Sequence, residues 1–417
     1  MAHIAWLGKK SPFCGNVSYG LSTTERLQQL GHRISFIHFD NPSSGLGFGW
    51  DGLQLEGRQA RSSGHGRSNA ESRTSAVSRS GGDSGDVALP YLVKSQAYTI
   101  PSPGAQRELR ESLEQLRPDL VHASLTLSPL DFRLPDLCQH LGVPLVATFH
   151  PAFDAGLRNL SAGTQQLTYQ IYAPTLAKFD RVIVFSDRQA ELLARLGVRE
   201  ERLAVIPNGV DTDRWQPAPT GSITAELAQL RRRFQGRRVF LYMGRLATEK
   251  NVEALLKAWR LVRPQGCVLL IVGDGPLRAS LMASSDDPDV EWWGDEADRD
   301  KRVALLQLTE VFLLPSLVEG LSLALLEAMA CGTACVATDA GADGEVLEGG
   351  AGIVISTQGV TTQLRTLLPV LRDQPVLTAA LGVRARARAL ERYTLGRNIA
   401  ALESLYAELV PLPSLAA

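Results

Sequence analysis

Short apolar runs alternate along the chain with longer stretches patterned at helical spacing. In the first half the runs at 3–8 (HIAWLG), 33–39 (RISFIHF), 119–124 (DLVHAS), 144–150 (PLVATFH) and 181–186 (RVIVFS) predict strands, and 202–210 (RLAVIPNGV) closes the series. A helix is expected over 23–30. The pattern then restarts. Residues 237–244 (RRVFLYMG) predict a strand and 252–262 a helix; 267–273, 311–316, 334–339 and 352–356 predict further strands. Buried runs separated by helices imply parallel sheets covered on both faces. The restart implies two of them. The expected fold is α/β, with two doubly wound Rossmann-like domains facing a cleft. The expected divisions are a first domain at 1–210, a second at 211–395, and a C-terminal helix at 396–417 packing back near the first domain.

One segment departs from the pattern. Residues 57–86 contain no Phe, Trp or Tyr and almost nothing to bury, so a disordered insertion is expected there. Its five arginines against three acids could touch an anionic surface; a solvated tether is the plainer alternative.

The chain has 417 residues, enough for two or three domains, and a formal net charge of −1, which gives no sign of a nucleic-acid partner. Five scattered cysteines read as reduced cytosolic thiols. Cys331 and Cys335 have no nearby His or further Cys to complete a metal site. The opening MAHIAWLGKK is too short an apolar run for a signal peptide, and no run of roughly 18 apolar residues appears. A cytoplasmic protein is expected, with any membrane contact peripheral.

The stretch SLVEGLSLALLEAMACGTACVATDAG (316–341) sets Glu319 and Glu327 among apolar neighbours. Burying an unpartnered carboxylate costs several kcal/mol, so each must hold something. Here a strand ends, LVEG forms a loop, and Ser322 can cap a helix through LALLEAMA. The amides at that helix start form an anion site, and Gly320 lets a ligand approach the backbone. Glu319 stands beside the site, with Glu327 about 7–8 Å farther along the axis at 1.5 Å per residue. The pair could bracket a nucleotide sugar, since a carboxylate takes vicinal hydroxyls as an acid does on ribose in dinucleotide folds. Alternatively Glu327 pairs with a structural arginine and Glu319 is a solvated loop acid.

In YMGRLATEKN (242–251) a strand ends at Gly244, and Arg245 and Lys250 stand at its carboxyl edge, where such sheets bind ligands. Arginine can grip a diphosphate through two N–H groups, and lysine adds a point charge. The alternative is a solvated loop with Lys250 paired to Glu249. Gly273 and Gly275 allow close backbone approach at another strand end, where a nucleobase edge could lie. KKSPFCGNVSYG (9–20) is not G-x-G-x-x-G, which counts against a nicotinamide or flavin enzyme. Gly15 and Asn16 could turn the chain toward the cleft, with Lys9 and Lys10 nearby. His150 ends a strand and so points at the cleft, or is structural. VDTDRW (210–215) could hold a metal on a diphosphate, but its junction position favours a turn.

Taken together and in order, these stretches resemble the retaining glycosyltransferases of family 4, which have the GT-B fold, and are similar to cyanobacterial members. The resemblance covers nearly the whole chain outside 57–86. Its most specific element is E-x7-E, read as Glu319 and Glu327; GRLATEKN matches the family's phosphate-binding Arg and Lys. The resemblance implies that Glu319 contacts donor-sugar hydroxyls and Glu327 the ribose. The amides of Leu321, Ser322 and Leu323 would meet the sugar and diphosphate, and His150 would lie beside the transferring sugar. Arg245, Lys250, Glu319 and His150 form the expected catalytic set. Gly15, Gly244, Gly273, Gly275 and Gly320 join the donor site, and the resemblance makes 1–210 the acceptor domain and 211–395 the nucleotide-sugar donor domain. The donor would be a nucleotide diphosphate sugar, UDP-linked, with no cofactor and no metal. The acceptor reading is a diacylglycerol glycolipid reached by peripheral contact at the cytoplasmic face, with Lys9, Lys10 and the arginines of 57–86 attracted to anionic lipid. The alternatives are a soluble sugar or polysaccharide acceptor, a GT-B-fold epimerase, or a nucleotide-sugar-binding protein without turnover.

Overall fold

The computed structural model describes residues 1–11, 15–40, 85–95, 98–125, 127–153, 160–219, 221 and 223–410, with backbone alone at 160–162. The N-terminal lobe supplies strands β1 (His3–Gly8), β2 (Arg33–Phe39), β3 (Val87–Leu89), β4 (Tyr91–Lys94), β5 (Thr99–Pro101), β6 (Leu120–Ser124), β7 (Leu145–Thr148), β8 (Arg181–Val184) and β9 (Leu203–Val205). Seven of them form a sheet in the order β3-β2-β1-β6-β7-β8-β9, parallel at each pairing, while β4 and β5 make a separate antiparallel ribbon. The C-terminal lobe carries β10 (Arg238–Met243), β11 (Cys267–Val272), β12 (Val290–Gly294), β13 (Val311–Leu314), β14 (Ala334–Thr338) and β15 (Ile353–Ile355). Its order is β12-β11-β10-β13-β14-β15, again parallel.

The apolar runs are strands because both faces of each sheet are covered. Ile4, Ala5 and Trp6 in β1, and Phe240 and Leu241 in β10, are wholly buried. The last helix, Leu395–Leu409, belongs by packing to the first lobe: Ile399, Leu402, Leu405 and Tyr406 join Ile4, Trp6, Val146 and Ile183 in one cluster. The chain therefore crosses between lobes twice, and the crossings lie side by side. Val210 N–H donates to Tyr393 O at 2.8 Å and Leu395 N–H to Val210 O at 2.9 Å. At Gly209 a Cβ would stand 2.6 Å from Leu395 Cα, so only glycine lets the strands of this hinge touch.

The structure differs from the sequence reading in two places. The helix after β1 spans Gly15–Gln29, starting eight residues before the expected 23, so Gly15 and Asn16 open a helix. Glycine and serine weaken the local helix signal in GNVSYGLS. They also make room, because a Cβ at Gly20 would already stand 3.4 Å from the Trp6 ring nitrogen. Strands β3, β4, β5 and β12 were not anticipated, being short and at edges or in a ribbon. The expectation of a disordered 57–86 lies outside the described residues, except for Gly85 and Asp86, of which Asp86 forms an ion pair with Lys10.

Candidate active site

Both sheets reverse strand order beside their first strand, β1 and β10 respectively, and the carboxyl ends of these strands open on a shared cleft. Open α/β sheets bind ligands at such reversal points. The cleft encloses about 1290 Å³ and is lined by both lobes, among others by Tyr19, His150, Arg245, Lys250, Glu319 and Glu327.

On the C-terminal side three ion pairs form its wall. Arg245 pairs with Glu249. Lys250 Nζ lies 2.5 Å from Glu319 Oε1, which also accepts from Ser316 Oγ at 2.7 Å. Arg302 Nη2 lies 2.5 Å from Glu327 Oε2, with its guanidinium 5.3 Å from the Trp215 ring centre. Both motif glutamates are buried, at 6% and 8% exposure. For Glu327 burial outweighs the guanidinium, and its carboxyl is pushed up to about 7. The helix Leu323–Ala330 starts at the capping Ser322, whose Oγ accepts from Leu325 N–H. The Ser322 amide itself donates to Asp343 Oδ1 at 3.0 Å. Asp343 is wholly buried, its second oxygen has no partner, and burial together with nearby Glu319 raises its carboxyl well above the usual range.

The facing wall is built differently. His150 accepts or donates at Nε2 to Ser124 Oγ, 2.8 Å away, and packs edge-on to Tyr19 at 5.0 Å between ring centres. Tyr19 OH and His122 Nε2 share Thr148 Oγ1, at 3.2 and 2.7 Å, and His122 Nδ1 meets Tyr406 OH at 2.5 Å. Burial, with the nearby Lys9 charge, lowers His150 to about 3; burial, with His150, lowers His122 to about 3. Both imidazoles are neutral at pH 7, and burial pushes Tyr19 up to about 12.

The two walls touch at the Glu319 loop. Phe153 N–H donates to Glu319 O at 2.8 Å, and Asn208 Nδ2 to Leu321 O at 3.0 Å.

The structure thus brings Gly15, His150, Gly244, Arg245, Lys250, Gly273, Gly275, Glu319, Gly320, Leu321, Ser322, Leu323 and Glu327 to one cleft. It revises several local readings. Lys250 pairs with Glu319, and Glu249 goes to Arg245. Glu319 is buried on its loop, not solvated. Ser322 spends its amide on Asp343, which removes one of the three expected anion-binding N–H groups. Three glycines serve backbone packing first. A Cβ would stand 2.0 Å from Gly244 O at Gly273 (φ +131°), 2.4 Å from Leu246 O at Gly275, and 3.1 Å from His150 O at Gly320. Asp211 Oδ1 accepts from the amides of Asp213 and Arg214 at 3.1 and 3.2 Å, which makes VDTD a turn. Among the described residues no three His, Cys, Asp or Glu side chains converge as metal ligands. Lys9 is buried with Nζ 3.3 Å from Ser95 O, and Lys10 is held by Asp86, so neither is a free surface cation.

Sequence reasoning did not find Arg302, Asp343, Asn208, Tyr19 or Ser124. Arg302 sits in the mixed-charge run DRDKR, which reads as a solvated helix face; Asp343 sits in ADGE, which reads as a turn.

The two facing Rossmann-like lobes, with parallel sheets, a double crossover and a cleft at the strand ends, define the GT-B class of sugar-transferring enzymes. The chain belongs to glycosyltransferase family 4. The model "Glycosyltransferase Family 4" matches residues 15–214 and "Glycosyl transferases group 1" matches 237–373. Among curated relatives, alpha-maltose-1-phosphate synthase of Mycolicibacterium smegmatis is 28% identical over 61% of this chain and 70% of its own. Glycogen synthase of Mycobacterium tuberculosis is 31% identical over 65% of this chain and 63% of its own. A GDP-mannose-dependent alpha-(1-6)-phosphatidylinositol dimannoside mannosyltransferase of M. tuberculosis is 29% identical over 63% and 67%. In fold the chain is similar to Anabaena HepE in complex with UDP-glucose, with TM-score 0.72 and 16% identity over 98% of this chain and 100% of that one. It is also similar to sucrose-phosphate synthase of Thermosynechococcus elongatus, with TM-score 0.70 and 18% identity over 98% and 99%.

Proposed function

We propose that the protein transfers a hexose from a UDP-linked sugar to a hydroxyl of a water-soluble saccharide, with retention at the anomeric carbon. One observation carries this: a wall of carboxylate–cation pairs faces a neutral wall across a cleft of about 1290 Å³. On the charged side Arg245 and Lys250 receive the diphosphate, Glu319 the donor-sugar hydroxyls and Glu327 the ribose. As the glycosidic bond breaks, negative charge grows on the β-phosphate. Cations already fixed by Glu249 and Glu319 meet it without reorganisation, which is commonly the largest catalytic term. Gly15, with no described atom within 4 Å of where a Cβ would stand, leaves space on the first lobe for the donor. The neutral His150, fixed by Ser124, offers the transferring sugar a hydrogen bond without adding a cation. The UDP reading draws on the HepE complex, whose likeness is otherwise one of fold.

A soluble acceptor is the reading that the described lysines support, because Lys9 and Lys10 are both engaged. The names glycogen synthase, alpha-maltose-1-phosphate synthase and sucrose-phosphate synthase, carried by relatives or neighbours, point the same way. A lipid acceptor is a second reading, favoured by one observation. The ribbon β4–β5 exposes Leu92, Val93 and Ile100 on the first lobe, and Tyr98, just before β5, is exposed beside them. No described helix is long and apolar enough to cross a membrane.

The test is incubation of purified protein with UDP-glucose, UDP-galactose or GDP-mannose, plus soluble sugars, sugar phosphates or glycolipid vesicles. Nucleoside diphosphate release and product mass are followed, and anomeric couplings give the stereochemistry. UDP release with an α-linked soluble product is expected. Product on lipid alone, with salt-sensitive vesicle binding, would replace the soluble reading. No release with any donor would end the transfer reading.

A further inference from the structure

We infer that Arg302 is a positioning residue of the donor site: it commits one oxygen of Glu327 to the protein and so presents the other to the cleft. The inference rests on the reading of Glu327 as the ribose contact. Arg302 lies on the helix Arg299–Leu308 and Glu327 on Leu323–Ala330, so neither neighbour in sequence sets their meeting. Two contacts fix the guanidinium: Glu327 Oε2 at 2.5 Å and the Trp215 ring at 5.3 Å. A planar guanidinium held on a ring face and on a carboxylate has little freedom to turn. Both side chains line the cleft and retain 15% and 11% exposure. Glu327 Oε1 makes no hydrogen bond to the described protein, so it is the oxygen available to a vicinal diol.

The pair must also stay ionised to work. A carboxylate accepts from a hydroxyl about twice as strongly as a neutral acid does. Burial already pushes Glu327 up to about 7 with the guanidinium in place. The other charged or titratable groups around it do not replace Arg302. Arg299, on the same helix as Arg302, has the weaker influence of the two and makes no hydrogen bond to Glu327. Cys331, at the end of the Glu327 helix, is a thiol that burial keeps protonated. Arg386, from the helix Pro375–Arg392, spends its donors on the carbonyls of Thr212, Trp215 and Ala330. Arg302 therefore sets both where Glu327 points and the pH above which it is charged.

Calorimetric titration with UDP-glucose between pH 5.5 and 8.5 tests this, because the pyrophosphate diester keeps constant charge over that range. GDP-mannose replaces it if wild type binds that donor more tightly. Wild-type affinity should rise through a midpoint near 7 as Glu327 ionises. Arg302→Met should move the midpoint up by at least about one unit and weaken binding at pH 7.5 about tenfold. Arg302→Lys should restore most of both. Glu327→Gln should bind weakly and show no midpoint. If Glu327→Gln flattens the profile while Arg302→Met keeps the wild-type midpoint, Arg302 is only a structural clamp and the inference is overturned. If Glu327→Gln binds as wild type does, the ribose reading itself fails. The midpoint does not depend on the fraction of protein that is active, so partial unfolding of a variant cannot mimic the expected shift.

Discussion

On the C-terminal lobe the cleft is walled by Arg245–Glu249, Lys250–Glu319 and Arg302–Glu327, three carboxylate–cation pairs. On the N-terminal lobe it is walled by Tyr19 and His150, backed by His122, Thr148 and Ser124, which carry no charge at neutral pH. The sheets behind both walls have the same architecture. What differs is the side chains that the strand ends present, and so what each wall can bind. A preformed charged wall suits an anionic donor, whose own negative charge replaces solvent. A neutral, hydrogen-bonding wall suits a sugar that leaves one partner for another, and it adds no repulsion to a developing oxocarbenium. Fold sets the place of a site on both lobes; chemistry is written in the few residues at the strand ends.

The sharpest way to break this comparison is to remove charge from one wall only. Arg245→Ala and Glu327→Gln should each lower kcat/KM by at least about 10²-fold, roughly 2.7 kcal/mol. Arg245→Ala should leave the melting temperature nearly unchanged, since Arg245 and Glu249 retain 38% and 26% side-chain exposure and a solvated pair contributes little. Wild-type turnover in either variant would remove that residue from the site.

The next effect is on stability, and the two walls should respond to pH with opposite signs. Glu327 has a folded value of about 7, raised from 4.5, so its contribution is full below 4.5 and is lost as pH rises through 7. His122 and His150 have folded values of about 3, lowered from 6.5. Unfolded chains bind those protons first, so their contribution is full above 6.5 and is lost as pH falls toward 3. Each effect amounts to a few kcal/mol at most. Denaturant titrations from pH 4.5 to 7 should show that Glu327→Gln loses less stability than wild type as pH rises. His122→Asn should lose less than wild type as pH falls. Parallel slopes in all three proteins would refute the contrast.

A smaller effect is expected from the neutral wall. His150→Asn should lower kcat about tenfold, within the range of one lost hydrogen bond to a reacting group. Its pH–rate profile should show no lost limb near 6.5, because the wild-type imidazole does not titrate there. Loss of such a limb would mean that His150 works as an acid.

Last comes a null effect: activity should survive EDTA, because lysine and arginine neutralise the diphosphate and Asp211 is spent on a turn. Abolition by EDTA with rescue by Mn²⁺ would assign the charged wall to a metal.

The sequence by itself determined the apolar runs that became the long strands, the restart that became a second lobe, and the residues standing at strand ends. The carboxyl end of a strand in a parallel sheet faces the ligand edge whatever the loops do, so Arg245, Lys250, His150, the Glu319 loop and the helix of Glu327 could be placed at one cleft. Short edge strands such as β12 were not, because a run of four or five residues with mixed polarity carries little periodicity. Only tertiary structure decided which charges meet. Glu249 is the nearest acid to Lys250 in sequence, but adjacent residues on a turn of helix point apart. Glu249 therefore meets Arg245, and Lys250 reaches across 69 positions to Glu319. Arg302 and Glu327 are 25 positions apart and His122 and Tyr406 are 284 apart, joined because strand order and the double crossover bring their elements together. Local pattern specifies which face of an element is buried, but the partner waiting at a strand end depends on the order of the strands, which no local pattern contains.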